Sequence, residues 1–392
     1  MSFQDSKTIA LPVQIQPVGP QRLASVDIYR GFVMFLMVAE VLHLSSLAKN
    51  YPDSQIWKEI AFHTQHVEWV GCSLHDMIQP SFSFLVGVAL PFSLANRIAK
   101  GESFRWLSIH ALWRSLVLVL LGVFLRSTHS SITNWTFEDT LTQIGLGYFF
   151  LFLLGWMKSW VVWVSFFLIV IGYWDAWALY PPAGSDFASH WQKNANLGWA
   201  FDTWFLNLFP RNAPFKANGG GYLTLSFIPT LATMILGLIA GRWLRLSWPL
   251  GKKLMLITIT GVVGLGIGFL LNYYGICPNV KRIWTPTWVF FSGGWCFIML
   301  AFFVATVEGM GMKMVFFPFL VLGVNSIAIY CLSHLIDGFI RTSLYTHLGK
   351  APFQVLNRFG EQYEQLLMGA AIMLVLWLIL FWMYRRKLFL KI

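Results

Sequence analysis

Long stretches in which almost every position is apolar, broken by short segments that carry the charges, dominate this chain. About ten can be drawn, at residues 29–47, 73–94, 106–125, 140–156, 160–177, 223–240, 254–271, 287–304, 315–335 and 366–382. An α-helix rises 1.5 Å per residue, so about 20 apolar residues cross a hydrocarbon core of roughly 30 Å. The stretches are continuous and do not alternate with period two, which selects helices over a barrel. The pattern predicts an all-α fold, a polytopic membrane bundle of about ten transmembrane helices.

Charge adds an orientation. Lys and Arg collect in the even-numbered connections (Arg97, Lys100 and Arg105; Lys158; Arg242, Arg245, Lys252 and Lys253; Lys313) and near both ends (Lys7, Arg22, Arg385, Arg386, Lys387). These sides are read as cytoplasmic, with both termini inside, although Lys193, Arg211, Lys216, Lys281 and Arg282 fall in odd-numbered loops. The net charge of +11 is mostly this bias, and no RNA or DNA motif accompanies it, so no nucleic-acid partner is expected. Residues 1–21 are polar and hold Pro12, Pro17 and Pro20, which reads as a disordered cytoplasmic tail rather than a cleaved signal. The longest non-helical stretch, about 180–221, is placed outside by helix count. Its Trp, His and Asn suit either stacking on sugar rings or an interfacial aromatic belt.

Composition agrees with the bilayer as solvent: 57% of the 392 residues are hydrophobic and 11% charged. The four cysteines, Cys72, Cys277, Cys296 and Cys331, have no CxxC spacing and read as packing residues, so neither a disulfide nor a metal is expected.

Ionisable groups at membrane depth are costly and mark lined cavities. Glu40 and His43 lie in the outer half of the first run, His75 and Asp76 at the start of the second, Arg114 in the third, and His334 and Asp337 at the outer end of the ninth. A loop histidine such as His66 can serve as a general base, and on spacing alone His63 and His75 compete with it equally. No P-loop, GxSxG, HExxH or Gly-rich nucleotide fingerprint is present. Enzyme and transporter both remain open on these residues.

Arg22, Ser25, Asp27, Tyr29, Arg30 and Gly31 resemble the R-x-x-S-x-D-x-F-R-G opening of the heparan-α-glucosaminide N-acetyltransferase family. His66, Trp69, Gly71, Asp76, Pro80, Phe82, Phe84 and Gly87 are similar to the family block H-x-x-W-x-G-x-x-x-x-D-x-x-x-P-x-F-x-F-x-x-G, spacing intact. Further pieces follow in order: Trp113 to Ser115, Gln143 to Gly145 with Tyr148, Lys281 to Thr285, Gly323 to Ser326 with Tyr330, and Tyr384 to Ile392. The resemblance implies a transmembrane acyltransferase domain over 22–392. It would carry an acetyl group from cytoplasmic acetyl-coenzyme A to an amino sugar or glycan on the far side, in a bacterial inner membrane.

The family's active-site histidine maps onto His66, as base or acetylated nucleophile, with Asp76 behind it. Arg114, Lys281, Trp284 and Asn325 are assigned to the coenzyme A side, and Glu40, Trp69 and His334 to the acceptor. A homodimer is left open. Val41 stands where the family has an Asn, Gly220 to Leu223 replace its D-P-E-G segment, Gln143-Ile144 its Gln-Arg, and Asp76 to Pro80 its D-L-V-F-P block. Two alternatives accompany this reading: a small-solute or sugar transporter, and a catalytically silent relative.

Overall fold

In the computed structural model, residues 23–181, 184 and 186–390 are described, so the expectation for the tail at 1–21 lies outside them. Every one of the ten apolar runs is helical, and no strand occurs among the described residues. The elements that matter here are α1 (Ala24–Val38), α2 (Gln55–His63), α3 (Ile78–Ala99), α4 (Phe104–Ser127), α5 (Thr140–Gly155), α6 (Ser159–Leu179) and α7 (Leu197–Phe205). After them come α8 (Phe227–Leu244), α9 (Leu250–Tyr273), α10 (Pro286–Phe303), α11 (Phe317–Val324), α12 (Ser326–Leu335), α13 (Asp337–Leu348) and α14 (Gln362–Arg385).

Seven helices among the described residues are long and apolar enough to cross a membrane, or up to eight if α11 and α12, bent by 80° at Asn325, count as one. α1, with 15 residues, and α5, with 16, fall short of the required length. Ten separate crossings are therefore not reached on length and composition. The protein is an all-helical integral membrane bundle.

The burial gradient locates the core. In the most apolar stretch of each helix, 83% of residues are buried for α8 and 67% for α3, against 17% for α9. α3 and α8 are thus surrounded by protein, whereas α9 spends its apolar surface on lipid. Close packing in a bilayer comes from small residues rather than from hydrophobic exclusion. A Cβ at Gly87 of α3 would lie 1.9 Å from the Met234 carbonyl oxygen, and one at Gly237 of α8 1.9 Å from that of Phe84. Only glycine lets these two backbones touch.

Over one end of the bundle lies a lid of loops. Residues 64–74, the stretch from 186 to 225 and the segment 274–285 pack around Trp177, Trp191, Leu223, Cys277, Val280 and Ile283. Val70 and Val280 pair as an isolated antiparallel bridge, and the Gly71 N–H donates to the Asn279 carbonyl at 2.9 Å. Residues 186–221 of the long stretch between α6 and α8 are therefore folded. They contain α7, whose first turn is capped by Asn196, the side chain accepting the Trp199 N–H at 3.0 Å. Trp191 is only 1% exposed, so it packs and does not stack on ligands, while Trp204 stays 61% exposed.

Candidate active site

Asp76 organises the site. It sits on a single 3-10 turn, His75–Met77, that leads into α3. Its Oδ2 accepts the Val67 N–H at 3.1 Å, the Ser73 N–H at 3.1 Å and the Ser73 hydroxyl at 3.0 Å. Its Oδ1 accepts from His66 Nδ1 at 2.8 Å and from Lys281 Nζ at 3.2 Å. One carboxylate thus fixes the loop backbone, the imidazole and a cation from 205 residues further along the chain.

His66 Nδ1 lies 2.8 Å from Asp76 Oδ1 and 3.1 Å from Lys281 Nζ, and the shorter contact, to a group that only accepts, assigns the proton to Nδ1 and leaves Nε2 as the basic nitrogen, Lys281 donating to Asp76 instead. The His66 side chain is 38% exposed and faces the pocket, while those of Asp76 and Lys281 are 3% and 7% exposed. Burial lowers the His66 pKa from the ordinary histidine value; Asp76 opposes the shift and the Lys281 charge adds to it. The net shift favours the neutral ring, the state a base needs. Burial also lowers the Lys281 pKa, with Asp76 opposing.

The pocket, about 180 Å³, is lined by Glu40, His66, His75, Gln79, Phe82, Arg126, Glu138, Asp139, Tyr222, Lys281 and His334, among others. His75 and His66 rings lie 4.5 Å apart, and His75 Nε2 is 2.5 Å from Glu40 Oε1. Glu138 has its pKa raised, mainly by burial.

A second cavity of about 640 Å³ opens toward the other end of α3. It is lined by Arg30, Arg97, Lys100, His110, Arg114 and Tyr148 together with Val86, Ala89, Ser93 and Asn96. α3 has 22 residues, so its ends are about 33 Å apart, yet one stripe at Gln79, Phe82, Val86, Ala89, Ser93 and Asn96 serves both cavities. The cavities share Phe82, Thr140 and Tyr330 as wall, and the same five helices, α1, α3, α4, α5 and α12, line each of them. The two cavities therefore lie next to each other along α3, with Phe82, Thr140 and Tyr330 between them.

The residues expected from sequence separate into three groups. His66, Asp76, Glu40 and His334 come together at the pocket, His334 stacking on Tyr330 with ring centroids 4.7 Å apart. Arg114 lines the basic cavity, where it lies over the Tyr148 ring at 4.6 Å. Lys281, expected on the coenzyme A side, instead stands in the His66 pocket.

Trp284 and Asn325 line neither cavity. Trp284 is 1% exposed and donates from Nε1 to Thr233 at 3.1 Å. Asn325 accepts the Leu390 N–H at 3.1 Å and donates to the Leu388 carbonyl at 3.0 Å, which pins the tail at the basic mouth. Trp69 donates to the Trp191 carbonyl at 3.1 Å and supports the lid beside the pocket without lining it.

Of the rival histidines, His63 accepts the Leu74 N–H at 3.1 Å and braces the loop, whereas His75 shares the pocket. Arg126, Glu138 and Tyr222 were missed. Arg126 closes α4 and Glu138 precedes α5, so two charges beside apolar runs were the available signal; Tyr222 left none.

Over nearly its whole length the chain is similar to heparan-alpha-glucosaminide N-acetyltransferase. The human protein is 23% identical across 99% of this chain and 63% of its own length, and the mouse protein 21% identical across 95% and 60%. The chain thus spans somewhat over half the length of these curated relatives. No protein-family model matches it. Both relatives are named as N-acetyltransferases.

Proposed function

We propose that the chain is a membrane-embedded acetyltransferase that takes its acetyl group from acetyl-coenzyme A held at the basic mouth and delivers it to an amino sugar at the His66 pocket. The observation that carries this reading is that the two cavities have Phe82, Thr140 and Tyr330 in common in their walls. Coenzyme A is too polar at its nucleotide end to enter lipid, whereas its pantetheine arm and acetyl end are thin. A passage with cations at one end and an imidazole at the other matches that division.

In this reading Arg97, Lys100 and Arg114 hold phosphates by charge-assisted hydrogen bonds at the cytoplasmic face. The arm threads past Phe82 and places the thioester at the pocket. There the acceptor amine attacks the carbonyl carbon, and His66 Nε2 takes the proton the nitrogen sheds. The C–N bond forms, the C–S bond breaks, and the departing sulfur receives the proton from His66, leaving an amide and free coenzyme A. Asp76 keeps the imidazole in the required tautomer and stabilises its charged form, as the third member of such groupings does. A variant route has His66 attack first and carry the acetyl group itself. Glu40, Glu138 and Asp139 give the pocket an acidic wall suited to a protonated amine, which must lose that proton before it attacks.

The test is His66→Ala in purified protein, assayed with acetyl-coenzyme A and glucosamine for free thiol and for the N-acetyl product. Removal of a positioned base lowers turnover by about 10²–10⁴-fold. Unchanged turnover removes His66 from the chemistry.

A further inference from the structure

Glu40, His66 and His75 come from three separate segments: a 3-10 turn after α1, the loop after α2 and the turn before α3. One ligand-type atom from each lies within 4.8 Å of those from the other two, and all three side chains face the same pocket. We propose that these three side chains bind a divalent first-row transition cation of the Zn²⁺ class.

Two imidazoles and one carboxylate are a donor set suited to such ions, which in sites of three protein ligands take water or a ligand as the fourth. His66 is prepared for the role. Asp76 holds its Nδ1 at 2.8 Å, the outer carboxylate–histidine pairing that fixes ring orientation and turns Nε2 to a metal. His75, already 2.5 Å from Glu40, presents its ring 4.5 Å from that of His66.

Zinc–ligand bonds of about 2.0–2.2 Å require donor atoms roughly 3.3 Å apart, so the widest pair must draw inward. Glu40 supplies that adjustment: its side chain is 58% exposed, and the turn that carries it, Ala39–Leu42, is a single one. Sequence spacing conceals the site because residues 40, 66 and 75 match no ligand motif, and the expectation of no metal rested on motif and cysteine spacing alone.

The consequence for turnover rests on the proposed role of His66. A cation on Nε2 withdraws the base, so occupancy inhibits acetyl transfer and a chelator restores it.

The binding test needs no turnover. Chelator-treated full-length protein in detergent is titrated with ZnCl₂ by calorimetry, and with Co²⁺ by visible absorption to report coordination. One saturable site per chain is expected, weakened about 100-fold in His75→Ala and at least tenfold in Glu40→Gln, and unchanged in His190→Ala, which lines neither cavity. Should His75→Ala fail to fold, His75→Gln retains a donor for Glu40 while removing the imidazole, and is expected to lose the site equally. Absence of saturable binding, or equal affinity in wild type and the His75 variants, overturns the proposal. Either result leaves the base role of His66 to be judged by its own assay.

Discussion

At the His66 pocket, Asp76 is 3% exposed and accepts bonds from two side chains, a hydroxyl and two backbone amides. At the basic cavity, Arg97 is 30% exposed, lies 2.9 Å from His110 Nε2 and sits at 3.7 Å from Glu102. The first cavity holds its charges in one geometry at low dielectric; the second leaves its cations partly in reach of solvent. Under the proposed function the first is the chemical end, where a proton must move between fixed atoms, and the second the binding end, where a polyphosphate is only gripped.

Substitutions sharpen it, beginning with the largest effect. Asp76→Asn removes the acceptor that sets the His66 tautomer and releases the loop amides, and turnover should fall about 10³-fold with little change in KM for acetyl-coenzyme A. A fall confined to KM would place Asp76 at the wrong end.

Lys281→Met has a signed effect on pH dependence. A base works deprotonated, so turnover rises with pH through the His66 pKa, which burial and the Lys281 charge hold below the ordinary histidine value while Asp76 pulls it up. Removing the cation deletes a lowering influence and keeps the raising one. The acid limb of the kcat profile should move to higher pH; a limb that stays or moves lower contradicts the assignment.

Arg97→Ala should have the smallest effect, raising KM for acetyl-coenzyme A by about fivefold, because an exposed ion pair contributes at most about 1 kcal/mol. That effect should shrink with added salt, whereas the Asp76 effect should not.

Much of this was legible in the chain. The ten apolar runs all became helices because a helix satisfies its own backbone groups in lipid and the runs lack the period-two alternation of a barrel. His66 and Asp76 were readable as a pair only through the family block that holds both, because on spacing alone His63 and His75 competed equally with His66; Asp76 lies on the turn that starts α3 and His66 in the loop before it. Lys281 was visible as a charge, but its partnership with Asp76 spans 205 positions and depends on the lid folding back over the helix ends. Trp284 and Asn325 carry polar groups in apolar surroundings, and sequence alone does not tell a ligand contact from an internal hydrogen bond. Here Thr233 and the tail backbone take those bonds. The bend at Asn325 likewise divides an apolar run that hydropathy reads as continuous.

The proposed function requires acetyl transfer between the two cavities within one chain. Its sharpest test uses sealed proteoliposomes with the protein in defined orientation, acetyl-coenzyme A on the basic side and glucosamine only on the other. N-acetylglucosamine is expected in the glucosamine compartment, with an equal amount of free coenzyme A thiol in the opposite one. Glucosamine crossing unmodified with no thiol released, or product forming only when both substrates share a compartment, would contradict it.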